Sequence, residues 1–311
     1  MKVFVTGATG FVGRHLCAHL VANGHSVTTV DSKSAPGLAL EHLQVFNSTR
    51  FDRIYHLAAY TRAGDFCSLY GGDQWIINQK LNTGVLEWWH RFQPQAQILA
   101  FGTSVSYAKG FELTENNYLK DEPIERFYSY AMTKRMLLVG LSELAKQYKH
   151  RYVYAVPSTV YGPEYHLDGR DLHFIYDLIF KIIRGKKLGT SVVLWGDGHQ
   201  KRELIHIRDF IRGLDLICNH SENQVFNLGT GTEHSIREFA TLICRHVGYD
   251  FNKVQFDASK NVGLRSKVLD ISKINKVVGF TPQISLEQGL AETIRWCETV
   301  EERLRPHADK K

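Results

Sequence analysis

Tyr130 and Lys134 stand four residues apart in the run Phe127-Tyr-Ser-Tyr-Ala-Met-Thr-Lys134. If that run is helical, the two side chains share one face, with Cβ atoms about 5–6 Å apart. A lysine ammonium beside a phenol favours the phenolate and lowers the tyrosine pKa. A tyrosine poised in this way passes a proton to or from an oxygen near neutral pH. Taken alone, the pair is an ordinary feature of a solvated helix face. Its weight comes from what else the chain carries. Far upstream, Gly7-Ala-Thr-Gly10-Phe-Val-Gly13 sets three glycines at intervals of three. Glycines there let backbone approach a phosphate, and a helix starting at the turn faces it with free N–H groups.

The elements that must position these residues are legible around them. Lys2–Thr6 carries the continuous apolar run of a buried strand. Phe11, Val12, Leu16, Leu20 and Val21 then recur at helical spacing, and Asn23-Gly24 closes the helix. Residues 25–31 form a second strand. Strand, glycine turn, helix and strand make a βαβ unit with a dinucleotide fingerprint spaced G-x-x-G-x-x-G. Asp31 ends the second strand, where a carboxylate accepts from ribose hydroxyls and repels a 2′-phosphate. That favours NAD(H), while Arg14 and Lys33 keep NADP(H) open.

Further strands are expected at Leu43–Phe46, Arg53–Leu57, Gln97–Phe101 and Arg151–Val156. His56-Leu-Ala-Ala59 ends one of them with small residues that suit a close cofactor. A loop over residues 60–73, carrying Arg62, is expected to cover a substrate pocket. Residues 75–92 read as a helix that is apolar around most of its circumference. Such a helix fits a core position or a homodimer face shared with a helix over 128–148. Ser235 with Glu238 predicts a capping box, and Pro282-Gln-Ile-Ser285 opens a last amphipathic helix through Trp296. The fold class is α/β, a Rossmann-type doubly wound parallel sheet over residues 1–160. Residues 161–300 form a smaller substrate-binding portion with some segments returning to the sheet, and 301–311 a charged tail.

The chain has 311 residues, a net charge of +6 and five cysteines. The cysteines are scattered and odd in number, with no C-x-x-C, which predicts reduced thiols, cytoplasmic location and no zinc site. No run approaches the roughly 18 apolar residues of a membrane span, and no signal peptide is read at the N-terminus. The basic surplus lacks the Lys/Arg block of a nucleic-acid binder. It suits a small anionic ligand focused into one cleft.

With these markers the chain resembles the extended short-chain dehydrogenase/reductase family of nucleotide-sugar epimerases, dehydratases and reductases. The glycine turn, His56-Leu-Ala-Ala59, Asn78, Gly102-Thr103-Ser104-Val-Ser-Tyr107, Tyr130-x-x-x-Lys134, Pro157-Ser-Thr-Val-Tyr-Gly-Pro163 and Trp195-Gly-Asp-Gly-His-Gln-Lys-Arg202-Glu-Leu-Ile-His206 all match it. The second half is most similar to the GDP-L-fucose synthases, through His173-x-Ile, Trp195 to Arg202, and Ser266-Lys267-Val-Leu-Asp270. The resemblance implies that Thr103 holds the reacting C4 oxygen and that Tyr130 is the general acid or base. It implies that Lys134 also binds the nicotinamide ribose and that His173 occupies a second acid/base position. Gly7, Thr9, Gly10, Phe11, Val12, Gly13, Asp31, Leu57, Ala58, Ala59, Asn78 and Pro157 would surround the cofactor. Lys181, Arg202 and Lys267 would neutralise a diphosphate, and Trp195 would pack near the nucleotide or sugar.

Two departures are informative. The fucose synthases carry a cysteine two residues after the catalytic Ser/Thr, where this chain has Val105. The 4,6-dehydratases carry Asp-Glu directly after it, where this chain has Ser104-Val105. Removing a carbon-bound proton needs a base in reach, and neither relative's base is present. The expectation is an NAD(P)H-dependent C4-ketoreductase of a nucleotide-linked, GDP-type 4-keto-6-deoxy sugar. The alternatives are an epimerase with a tightly bound recycling NAD and a non-catalytic dinucleotide-binding regulator.

Overall fold

The computed structural model describes residues 1–31, 40–260 and 264–301. Lys33 and the tail beyond 301 lie outside them. In chain order, β1 (Lys2–Thr6), α1 (Phe11–Ala22), β2 (Ser26–Val30), α2 (Leu40–Leu43) and β3 (Arg53–His56) come first. They are followed by α3 (Phe66–Leu69), α4 (Gly71–Phe92), β4 (Gln97–Phe101), α5 (Tyr128–Tyr148), β5 (Tyr152–Pro157) and β6 (Thr159–Tyr161). The second half holds α6 (Phe174–Leu188), β7 (Val192–Trp195), β8 (Lys201–His206), α7 (Ile207–His220), β9 (Gln224–Leu228) and β10 (Glu233–Ser235). It ends with α8 (Ile236–Val247), β11 (Val254–Asp257), α9 (Ser272–Val278) and α10 (Leu286–Val300).

Six parallel strands form the main sheet in the order β2-β1-β3-β4-β5-β9. This is the doubly wound sheet expected from the sequence. Val3, Phe4 and Val5 have no exposed surface, as in a parallel strand covered on both faces. From β1 the chain passes first to β2 on one side and later to β3 on the other. The switch point therefore lies between β1 and β3, and ligands of such sheets bind at the carboxyl ends beside it.

Residues 43–46 correct the expectation of a strand. They close α2 and continue as a 3₁₀ turn, Gln44–Phe46. Leu43 and Phe46 are three apart, so a helical turn brings both inward. Leu43 is fully buried, and Phe46 meets Phe4 with ring centroids 5.1 Å apart. Alternation along a strand would have turned one of them to solvent.

α4 divides its apolar surface. Trp88 and Trp89 are wholly buried, and their indole N–H groups donate to Asn47 Oδ1 at 3.0 Å and Ala96 O at 2.9 Å. Trp75 and Ile76 at its start are 39% and 53% exposed, as are Met136 (44%) and Val139 (36%) on the neighbouring α5. In the second half, α6, α8 and α10 enclose a core of their own around Tyr176, Phe180, Phe239 and Leu290. α7 and α9 instead return to the main sheet through Phe210, Leu214 and Ile274. The expected capping box starts α8: Glu238 N donates to Ser235 Oγ at 3.1 Å and Ser235 N to the Glu238 carboxylate at 2.6 Å. A second box, Ser285 with Gln288, starts α10, which runs on past Trp296 to Val300.

Candidate active site

The glycine turn lies where β1 passes into α1. Gly7 has φ +70°, a conformation glycine takes without strain. A Cβ at Gly7 would stand 2.8 Å from Ala58 N, and one at Gly13 would stand 2.3 Å from Gly7 O. Side chains are thus shut out at both positions, and the turn offers bare backbone. Gly10 caps α1 without a side chain over its first N–H groups, which stay open to an anion. The cradle fits a dinucleotide pyrophosphate. Phe11 and Val12 form the first turn of α1, with Thr9 exposed at the lip. Leu57, Ala58 and Ala59 follow β3 on the opposite wall, half-buried, while Asp31 follows β2 and Pro157 closes β5. Asn78 is spent on the backbone of Tyr60, accepting from its N–H at 2.8 Å and donating to its carbonyl at 3.0 Å. It pins the start of the segment expected to be a loop over 60–73, which in the structure is a loop only to Asp65, then carries α3 and passes into α4 at Gly71.

Tyr130 and Lys134 occupy the opening turns of α5, one above the other, with the ammonium 5.9 Å from the phenol ring centroid. The expected lowering of the tyrosine pKa does not hold. Burial pushes Tyr130 up, with Cys67 and Tyr118 adding to the rise and a hydrogen bond with Thr61 opposing it. Burial also pushes Lys134 down, to about 8. Desolvation penalises the charged form of each group, and at this separation it outweighs their attraction. Tyr130 is a phenol across the neutral range, holding a proton to give.

Thr103 caps a 3₁₀ turn, Ser104–Ser106, its hydroxyl accepting from Val105 N at 3.4 Å. Its own N–H donates to Tyr118 Oη at 3.2 Å. That hydroxyl meets Tyr154 Oη at 3.3 Å, and Tyr154 donates to Lys134 O at 2.6 Å. Two buried tyrosines thus tie Thr103 to the helix bearing Tyr130.

A cleft of about 610 Å³ opens along α6, lined by Lys181, Trp195 and Arg202. Trp195 is 60% exposed, an aromatic ring on the cleft wall rather than a core residue. Lys181 lies 5.9 Å from that ring centroid and pairs with Asp177 at 2.7 Å. Arg202 donates to Lys201 O at 2.7 Å and Leu264 O at 2.8 Å, and burial pushes its pKa down. Lys267 is pushed to about 8 by burial and by the Arg202 charge. Burial, and then the same two cations, hold His173 neutral, its pKa pushed down to about 4. Its Nδ1 has no hydrogen-bond partner among the described residues. His173, Arg202 and Lys267 therefore converge, and crowded cations of this kind gain from an anion.

Arg62 does not line this cleft; its guanidinium carbon lies 5.3 Å over the Phe66 ring. The 60–73 loop does reach the 163–173 loop, since a Cβ at Gly64 would stand 2.6 Å from Asp171 Oδ2. Phe11 meets Tyr165 at 5.2 Å, which brings the second loop over the cofactor turn. Sequence reasoning missed Arg126, Arg170 and Arg184, which also line the cleft. Arg184 follows Lys181 by three on one helix face, a spacing that could have disclosed it. Beside Tyr130, Thr61 comes from the loop after β3 and Cys67 from the four-residue α3, too short to show a period. A larger hollow, about 1450 Å³, lies at the amino ends of β3, β4, β5 and β9, away from all of these residues. Among the described residues no cluster could hold a metal, and no helix is long and apolar enough to cross a membrane.

Comparison with known proteins identifies the family and the fold. The chain is 28% identical over 303 residues to "Probable GDP-L-fucose synthase 1" of Oryza sativa subsp. japonica, covering 95% of this chain and 91% of that one. Its fold matches a GDP-L-fucose synthetase from Naegleria fowleri, with TM-score 0.85, 21% identity, and 98% and 95% of the two chains covered. It also matches an NADP-bound GDP-mannoheptose C4 reductase from Campylobacter jejuni, with TM-score 0.84, 17% identity, and 96% and 98% covered. The sequence model of the NAD dependent epimerase/dehydratase family matches residues 3–229. This protein is an NAD(P)-dependent member of that family.

Proposed function

We propose that this protein reduces the C4 ketone of a nucleotide-linked 4-keto-6-deoxy sugar, with GDP as the nucleotide. The observation that carries the reading is an intact Thr103, Tyr130 and Lys134 beside Ser104 and Val105, which offer no base for epimerisation or dehydration. The bound dinucleotide supplies the hydride. Thr103 hydrogen-bonds the C4 oxygen, and Tyr130, kept protonated by burial, gives that oxygen its proton. Lys134 holds the nicotinamide ribose. Arg202 and Lys267 take the diphosphate, Trp195 stacks on the base or sugar, and His173 faces the sugar as a neutral imidazole. The relatives' names, a fucose synthase and a C4 reductase of GDP-sugars, support the choice of GDP.

The test is oxidation of NAD(P)H by purified protein with a GDP-4-keto-6-deoxy sugar. Tyr130→Phe is expected to lower kcat by about a hundredfold or more. A ketone left unreduced while the dinucleotide is bound would remove the reading. Asp31 favours NAD(H), and with it a second reading, an epimerase that recycles a retained NAD. Stoichiometric NAD released from freshly purified, denatured protein would select that one. The exposed apolar residues Trp75, Ile76, Met136 and Val139 support a homodimer through α4 and α5; a monomer in sedimentation would exclude it.

A further inference from the structure

A chain of hydrogen bonds runs beneath the active site, from the cofactor wall to the catalytic helix. Ala58 N–H donates to Thr6 Oγ1 at 3.2 Å. Thr6 Oγ1 lies 2.9 Å from His56 Nδ1, and His56 Nε2 lies 3.1 Å from Asn82 Oδ1. Asn82 Nδ2 donates to Thr133 O at 3.3 Å, and the Thr133 hydroxyl donates to Tyr130 O at 2.8 Å. Thr6, His56, Asn82 and Thr133 are each buried to 3% exposure or less.

The catalytic-helix end fixes the direction of the links at His56. The Thr6 hydroxyl accepts from Ala58 N–H and keeps its own proton to donate, and a neutral ring protonated on Nε2 takes that proton's hydrogen bond at Nδ1. The imidazole then bears its proton on Nε2 and gives it to Asn82 Oδ1. Asn82 must present its oxygen there, because its NH₂ is needed at the Thr133 carbonyl. The tautomer thus follows from the network. An imidazolium could not accept from Thr6, and it would add a charge near Lys134. Burial first, and then the Lys134 charge, hold the imidazole neutral, its pKa pushed down to about 4. Aligned bonds of this kind polarise one another in a low-dielectric interior.

We propose that His56 is a positioning residue that couples the seating of the dinucleotide against Gly7 and Ala58 to the placement of Tyr130 and Lys134 on α5. There is no slack at the cofactor end. Gly7 is so close to Ala58 N that a Cβ would stand 2.8 Å from it, and Thr6 directly precedes Gly7. Movement of the wall moves the Ala58 N–H and the Thr6 hydroxyl together. At the other end the chain stops on two carbonyls of the catalytic turn. The inference rests on the reading of Gly7 and Ala58 as the cofactor wall, and it is independent of the sugar.

The test uses the whole protein and NAD(P)H alone. Deuterium exchange is followed in peptides spanning residues 128–136, and cofactor affinity by fluorescence titration. In the wild type, cofactor is expected to slow exchange there by about tenfold. His56→Phe, which fills the space without hydrogen bonding, is expected to keep cofactor affinity within about threefold and to lose most of the slowing. A smaller pair covers a His56→Phe chain that fails to fold. Thr6→Ser keeps the hydroxyl and should keep the effect; Thr6→Val removes it and should lose the effect. Equal slowing in both Thr6 variants overturns the proposal, and so does loss in both. If wild-type protein binds no dinucleotide, the cofactor wall itself is misread and the proposal falls with it. Failure to reduce any sugar leaves the proposal standing.

Discussion

Replacing Lys134 by methionine should make the protein more stable and inactive at once. Lys134 is 4% exposed, and burial takes its pKa from 10.5 to about 8. At about 1.4 kcal/mol per pKa unit, the ammonium costs the folded state about 3 kcal/mol at neutral pH. Below pH 8 both folded and unfolded chains hold the proton, and the cost is complete. Between about pH 8 and 10.5 the folded chain has lost its proton while the unfolded chain still holds one, so stability rises with pH across that window. Methionine has similar length and no charge, so Lys134→Met escapes the cost at every pH. The variant should exceed the wild type by up to about 3 kcal/mol at pH 7, and most of that gap should close by pH 10. Urea unfolding of both proteins at the two pH values measures it. Lys267, also pushed to about 8, titrates in both proteins and cancels in the difference. The reasoning is refuted if Lys134→Met is the less stable protein at pH 7, or if the gap is the same at both pH values. Loss of reductase activity in the more stable protein would show that the charge is kept for the reaction at a cost in stability.

Gly13→Ala would put a methyl 2.3 Å from Gly7 O and 2.7 Å from Ala8 Cα, all backbone. It should cost about 1–3 kcal/mol of stability and weaken dinucleotide binding measured by calorimetry; binding at wild-type strength would mean the turn is not the cradle. Val105→Cys restores a thiol two residues after Thr103. Reduction in D₂O should then place deuterium on the carbon next to C4, which the wild type should not do, and mass spectrometry of the product decides it. Label introduced equally by the wild type would point to another base, for which Cys67 beside Tyr130 is the first residue to replace.

Much of the site was legible because its signals are local. The glycine turn needs only the residues beside it, and β4 and α5 begin and end where their apolar periods do. The capping box of α8 is likewise contained in four residues. The strand expected at Leu43–Phe46 failed because two apolar residues three apart fit a helical turn as well as an irregular strand. Contact with Phe4, distant in sequence, decides between them. The substrate side was legible only as separate residues. His173, Arg202 and Lys267 come from the start of α6, from β8 and from a loop after β11, and no spacing announces that they meet.

By itself the sequence determined the βαβ cradle, the i, i+4 placement of Tyr130 and Lys134, and the absence of a thiol or carboxylate beside Thr103. These follow from backbone sterics and helical geometry, which act over a few residues. Only the tertiary structure decided which way the Tyr130 and Lys134 pKa values move. Burial sets the sign for both, and at Tyr130 the neighbouring Cys67 and Tyr118 add to the rise. Desolvation is a sum over everything within reach in space, and distance along the chain does not enter it.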